Sequence, residues 1–354
     1  MLSRIAESLY WIGRYIERAE DTARITDVNF HHTLEMGASE SAQARRGRHW
    51  EALVRIVGDA DRFFLAHSEA NEQTVPLYLT FAVDNPHSIV SCVSRARENA
   101  RTMRHQLASE MWEVINRFYL DLQQRQAEGV TPEGPENAHN FYRWVIEYSH
   151  LFQGITDSTM PREEGWYFLQ AGKFLERAEK TARALDVKYH MLVTDSSLAE
   201  AAELAATDEV PRDWHQWLAV LRSLSAYEAY NKLYRSAVRP RAVIEMLTLS
   251  PVFPRSIRFA IGEVDAALTH IAAHVSDMSG DGGVPDFMLG RPSEAERAVG
   301  RLKGTLAYQR VDELFVPDLQ SYLLDLERQC YQIGEFIQAQ YFAGRVLRAE
   351  EVVV

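Results

Sequence analysis

A chain that writes the same charged helical phrase twice must find a place for it twice in one fold, and this constrains the sequence more than any other feature. Residues 13–31 and 172–190 agree at eleven of nineteen positions, sharing Gly, Glu-Arg-Ala-Glu, Thr-Ala-Arg, Asp-Val and a closing His. Weaker echoes follow in the same order: "WEALVR" at 50 with "WLAVLR" at 217, and "LTFAVDNPHSI" at 79 with "LTLSPVFPRSI" at 247. A unit of about 160 residues is far too long for a solenoid repeat. The expectation is two tandem pseudo-symmetric repeats, residues 1–157 and 158–354, packed as one globular body.

Apolar residues recur at three- and four-residue spacing over 4–33, 48–68, 86–124, 138–155, 163–194, 212–234, 254–277, 293–308 and 315–346, and no stretch alternates as a strand. The fold class expected is all-α, a multi-helix bundle. Breakers fall in "EGVTPEGPEN" (128–137) and "SGDGGVPDFMLGRPS" (279–293), and "DNPHS" reads as a helix start with Asn85 as N-cap and Pro86 in the first turn. Neither Gly-rich loop has a preceding strand or a following Lys-Ser or Lys-Thr, so neither reads as a phosphate loop.

With 46% apolar residues the chain can bury a large core. Its formal charge of −12 argues against general nucleic-acid binding. Cys92 and Cys330 lie in apolar surroundings without metal spacing and read as buried thiols of a reducing compartment. Arg4, Glu7 and Arg14 interrupt the first apolar segment, which excludes a signal-peptide core, and no run approaches the ~18 residues of a membrane span. A cytoplasmic location, with no membrane or nucleic-acid partner, is expected.

At about 100° per residue, Ile12, Tyr15, Ile16, Ala19, Ala23, Thr26 and Phe30 form an apolar stripe, echoed by Ala171, Phe174, Leu175, Ala178, Ala182, Leu185 and Tyr189. A second stripe, Gly13, Glu17, Glu20, Arg24, Asp27 and His31, recurs unchanged as Gly172, Glu176, Glu179, Arg183, Asp186 and His190. Asp21, by contrast, becomes Lys180, which places that position on an outward face where a charge reverses at little cost. An invariant charged stripe away from bulk water needs partners. Two readings stay open: a charge network locking the halves together, and a polar pocket lined by both copies for a ligand with carboxylate and amino groups.

Asp27 with His31, and Asp186 with His190, are i,i+4 pairs able to co-ligate an ion. Di-iron helical proteins, however, use Glu-x-x-His twice, and here that spacing occurs in Glu147 and His150, outside the repeat; two arginines on the stripe would repel a cation. No metal and no cofactor are expected. Arg97, Arg101 and Arg104 share one helix face, as a solvated basic surface or an anion or partner site, and the echo of that helix lacks them. No nucleophile signature is present.

The phrases "RIAESLYWIGRYIERAE", "NPHSI" with "RARENART", "SEMWEVIN" and "LFQGITDSTMPREEGWYFLQAGKFLERAEKTARALDVKYH" resemble the alpha-E family, helical proteins named for a Glu-Arg motif. The resemblance spans essentially the whole chain. It implies a companion of circularly permuted ATP-grasp ligases, with transglutaminase-like peptidases and proteasome-like hydrolases as further companions, and so a part in ATP-dependent amide bond formation on a peptide or small amino-acid substrate. The family's motif falls on Glu17 and Arg18, on Glu176 and Arg177, and on Arg162, Gly165 and Trp166. The expected function is an accessory or substrate-binding component of such a ligation system; the alternative is a non-catalytic scaffold whose charged stripes only hold its halves together. Autonomous ligase activity is not expected, since no nucleotide loop is recognisable.

Overall fold

The structure is a computed structural model that describes residues 3–34, 40–57, 60–129, 132, 135–195, 214–278, 292–316 and 318–342. Every regular element among them is helical. In chain order the α-helices are α1 (Ser3–Leu34), α2 (Glu40–Val57), α3 (Ala60–Ala66), α4 (Thr74–Phe81), α5 (Ile89–Thr102), α6 (Ser109–Ala127), α7 (Pro135–Thr159), α8 (Glu164–Asp195), α9 (Trp214–Ser223), α10 (Tyr227–Tyr234), α11 (Pro240–Leu249), α12 (Ile257–Met278), α13 (Glu294–Tyr308) and α14 (Leu319–Ile337). Of the two breaker segments read from the sequence, residues 130, 131, 133 and 134 and residues 279–291 lie outside the described residues.

Helices α1 and α8, each 32 residues and so about 48 Å long, pack against each other at the centre of the molecule. Around them α5 and α7 lean on α1, while α12 and α14 lean on α8; α6 bridges α5 to α7, and α13 bridges α12 to α14. The consequence for α1 is burial on every side: each residue from Ile16 to Ala23 is buried. A helix enclosed all round is normally apolar all round. This one carries Glu17, Arg18, Glu20 and Asp21 inside, so its charges must be neutralised by protein.

The apolar core does not divide at residue 157. Ala6, Leu9, Tyr10, Ile12 and Ile16 of α1 pack in one cluster with Leu175, Leu221, Ile261 and Leu323, whereas Ala19, Ala23 and Phe30 pack in another with Trp50, Val93, Phe118 and Tyr142. The echoed tryptophans Trp50 and Trp217 are both fully enclosed, each a member of one of these clusters.

Four boundaries differ from the periodicity. The segment 86–124 is two helices, broken by a short 3-10 turn at Arg104–Gln106 where the buried side chains of Met103 and Leu107 pin a corner. The cap of α5 is Ser88, whose side chain accepts from Ser91 N at 3.2 Å; Asn85 instead accepts from His87 N at 2.8 Å in a turn one step earlier. The segment 212–234 breaks at Ser225, which takes φ 51°, and 48–68 becomes α2 and α3. Helices α4 and α11 are too short for periodicity to declare them.

Candidate functional site

The doubled phrase meets itself. Helices α1 and α8 cross where Gly13 faces Leu169 and Gly172 faces Tyr10, so closely that a Cβ on either glycine would strike the other helix's backbone carbonyl. Glycine is therefore required at both places. One turn along from each glycine, the Glu-Arg dipeptides interlock reciprocally. Arg18 donates from Nε to Glu176 Oε1 at 2.6 Å and from Nη2 to Oε2 at 2.8 Å. Arg177 does the same to Glu17, at 2.6 and 2.8 Å. Both carboxylates are 0% exposed, and forked pairs of this kind are the strong form of charged hydrogen bond.

Each carboxylate has a second layer of cations, drawn from different places. Arg14 donates to Glu176 at 2.7 Å and to Glu179 at 2.5 Å, and Lys180 Nζ stands 4.0 Å from Glu176 while donating to the Val57 carbonyl at 3.2 Å. On the other side Arg255, from the first residues before α12, donates to Asp21 at 2.6 Å and Glu20 at 2.5 Å and approaches Glu17 at 3.3 Å. Ser149 and Gln153 of α7 complete the set by donating to Glu20 at 2.6 and 3.1 Å.

The sequence expectation that position 21 faces outward is wrong. Asp21 is 9% and Lys180 6% exposed, because a central helix has no outward face there. The reversal is tolerated for another reason: the echoed loop changes with it. Where Asp21 meets Arg255, Lys180 lies near His87, the residue matching Arg255 in "NPHSI" and "FPRSI".

The field within this lattice follows from the pairing. Against burial, which alone would raise them, Arg18 and Arg14 hold Glu176, and Arg255 with His150 and Arg24 holds Glu20, well below the usual carboxylate range. Asp21 goes the other way: burial, reinforced by Glu17 and Glu20, outweighs Arg255 and pushes it up to about 7. Its Oδ2 is buried without a hydrogen-bond partner, which is the atom a proton would occupy. Burial, with the charges of Lys180 and Arg18, pushes His87 down to about 3, so it stands neutral.

Farther along the stripe the two copies part. Arg24 bonds Glu20 at 2.9 Å and lies 2.8 Å from His150 Nε2. Asp27 sits 3.0 Å from His139 of α7 and 3.7 Å from His31. On α8, Arg183 turns to Glu327 of α14 at 3.1 Å, and burial together with Glu327 raises Asp186 to about 6. His190 lies in α8, its side chain outside the described residues. Arg162 stands apart, exposed and stacked on Trp166 at 4.7 Å. The basic row is also internally engaged: Arg97 donates to Asn116 and Glu98 at 2.8 and 2.9 Å, Arg101 to Glu98 at 3.0 Å, and Arg104 covers Trp112.

A shallow hollow opens between α1, α2, α8 and α9, lined among others by Asn29, His32, His49 and Lys188 and by no residue of the Glu-Arg dipeptides. Burial and Lys188 keep His32 and His49 neutral, at about 4 and about 2. Glu17 alone of the four dipeptide residues touches a smaller hollow, beside Gly13, Gln153 and Lys173.

The residues that sequence reasoning missed are Arg14, Asp21, Lys180, Arg255, Ser149 and His139. One signal was available: Asp21 differs from Lys180, and His87 from Arg255, at matched places in the two copies, and taken crosswise the acid meets the arginine while the lysine meets the neutral imidazole. For His139 and Ser149 on α7 the repeat offers nothing to compare by phrase.

No helix among the described residues is long and apolar enough to cross a membrane. No solved structure matches the chain. Uncharacterised proteins of Mycobacterium bovis and of two strains of Mycobacterium tuberculosis are 27% identical over 192 residues, a stretch covering 49% of this chain and 21% of each relative. The match thus takes in about a fifth of their length. A family model described as "a predicted alpha-helical domain with a conserved ER motif" matches residues 1–342, and with its Glu-Arg dipeptides interlocked at the centre of an all-helical body the chain belongs to the Alpha-E family.

Proposed function

We propose that the chain is a non-catalytic helical accessory body, made of two tandem pseudo-symmetric repeats at 1–157 and 158–354 that the Glu-Arg dipeptides lock together. The observation that carries this reading is that Glu17 and Glu176, fully buried, each give both carboxylate oxygens to the arginine of the opposite helix. A carboxylate so occupied has little left to offer a ligand. The reciprocal glycine contacts support the two-repeat part of the reading.

Its role is that of a partner for a circularly permuted ATP-grasp ligase in amide bond formation on an amino-acid or peptide substrate, in the cytoplasm. The mycobacterial relatives, in which the matched stretch is a fifth of a longer chain, support a part played in company. The substrate-binding reading has its own observation, the hollow beside Lys188, His32 and His49, where a carboxylate-bearing ligand would meet a cation within apolar walls. The test is co-purification with the ligase and its ATP turnover with and without this chain. Binding and stimulation are expected, and both should survive Glu17→Gln with Glu176→Gln in the protein that remains folded, at a lower melting temperature. Lost stimulation at an unchanged melting temperature would make the dipeptides a ligand site.

A further inference from the structure

The stripe of α1 ends in a pair, Asp27 and His31, one helical turn apart. From the sequence that pair has two donors and no third. The fold supplies it: α7 brings His139 over the same carboxylate, its Nδ1 3.0 and 3.1 Å from the two oxygens of Asp27. His31 Nε2 is 3.7 Å from Asp27 Oδ1, and one donor atom from each of the three residues can be chosen so that all lie within 4.8 Å of one another. Around a zinc ion with nitrogen and oxygen ligands near 2.0–2.1 Å, tetrahedral donors stand about 3.3 Å apart. Two of the separations bracket that value, and the third closes by a turn of a half-exposed imidazole.

We propose that Asp27, His31 and His139 form a three-ligand site for a divalent first-row metal ion of the zinc type. The donor set selects the class: two imidazoles and one carboxylate suit zinc and its neighbours and not magnesium or calcium, which take oxygen. The arginine that would repel a cation is already engaged, since Arg24 bonds Glu20 at 2.9 Å and faces His150. His31 is 49% and His139 42% exposed, which leaves the fourth position open to water or to a carboxylate or amine of a ligand.

Among the described residues the three-ligand arrangement occurs in the first half. Buried residues of α7 (Ala138, Tyr142, Val145, Ser149, Phe152) fall in the same register as Leu319, Leu323, Leu326, Cys330 and Ile333 of α14, and this puts Gln320 where His139 stands. One ion per chain is therefore expected. The proposal does not depend on the role of the Glu-Arg lock.

The experiment uses the full chain, free of any affinity tag and stripped with chelator, titrated with zinc against a chromophoric zinc indicator. One equivalent should bind, with no competition from millimolar magnesium. His31→Ala and His139→Ala should each weaken binding at least tenfold while circular dichroism stays helical. His31 is exposed enough that its variant folds, so a folding defect in His139→Ala leaves the test intact. Absence of zinc binding in the folded chain overturns the proposal. So does zinc affinity that both variants retain, which would move the ion to other histidines such as His32 and His49.

Discussion

Glu17 and Glu176 occupy matched places on α1 and α8, and each is held by a forked arginine of the opposite helix, yet the rest of each charge cluster is built differently. Around Glu17 the chain adds a third acid, Asp21, and reaches 234 residues along for Arg255 to balance it. Around Glu176 it removes that acid in favour of Lys180, adds Arg14 from the opposite helix, and keeps the loop residue, His87, neutral. What must be preserved in a buried ionic core is local balance, and charges can be exchanged in pairs so long as neither carboxylate is stranded. It also separates the parts that cannot vary from those that can: the glycines and dipeptides sit at the crossing, where backbone approach leaves no alternative.

The largest effect expected lies at that crossing. Gly172→Ala drives a methyl group into the Tyr10 carbonyl and must part the helices, at a cost of roughly 3 kcal/mol or more. Gly300→Ala, in an exposed turn of α13 with open space around it, should instead stabilise by up to about 1 kcal/mol. Denaturant midpoints of the two variants check this, and equal midpoints would break the claim that the close approach matters.

A charge exchange sharpens the comparison further. Asp21→Lys alone sets an ammonium against Arg255 and Arg177 and should cost on the order of 3 kcal/mol. Adding Arg255→His reproduces the arrangement around Glu176, and the pair should recover about 1–2 kcal/mol relative to the sum of the single changes. Additive losses would show that the two clusters are not interchangeable designs.

The effect spread most gradually, over several pH units, is the one that gives the two clusters opposite signs. Asp21 is raised to about 7 in the folded chain, so the native state takes up its proton first, and stability from this group increases as pH falls from 7 toward the ordinary carboxylate value near 3.9. His87 is lowered to about 3, so the unfolded chain takes up the proton first, and stability from this group is full above about 6.5 and declines as pH falls toward 3. Each slope is at most about 1.4 kcal/mol per pH unit. Asp21→Asn should steepen the loss of stability between pH 7 and 4, and His87→Gln should make it shallower, as read from urea midpoints across pH. Identical profiles for both variants would remove the contrast.

Much of this was written in the sequence. Charges kept in both copies of the phrase pointed to a stripe turned from bulk water, as Glu17, Glu20 and Glu176 are, and the long central helices α1 and α8 were legible to within a residue or two from periodicity. The wheel failed at Asp21 because it assumes an exposed side, which a helix ringed by neighbours does not have. His139 was illegible because its contact depends on where a distant helix settles, and no local spacing encodes that; Arg255 left only the trace of matched differences at 21/180 and 87/255. Helix breaks at Met103 and Ser225 carry no Gly or Pro, so tertiary packing alone sets them.

The most direct test of the lock is a double-mutant cycle on Glu17 and Arg177, with Glu17→Gln, Arg177→Met and their combination compared by denaturant unfolding of the whole chain. If the dipeptides hold α1 to α8, each single change is costly, leaving a buried charge unpaired, and the coupling energy is about 2–3 kcal/mol. A coupling below about 0.5 kcal/mol in folded variants would contradict the account, because it would mean that the buried pair contributes nothing to holding the two helices together.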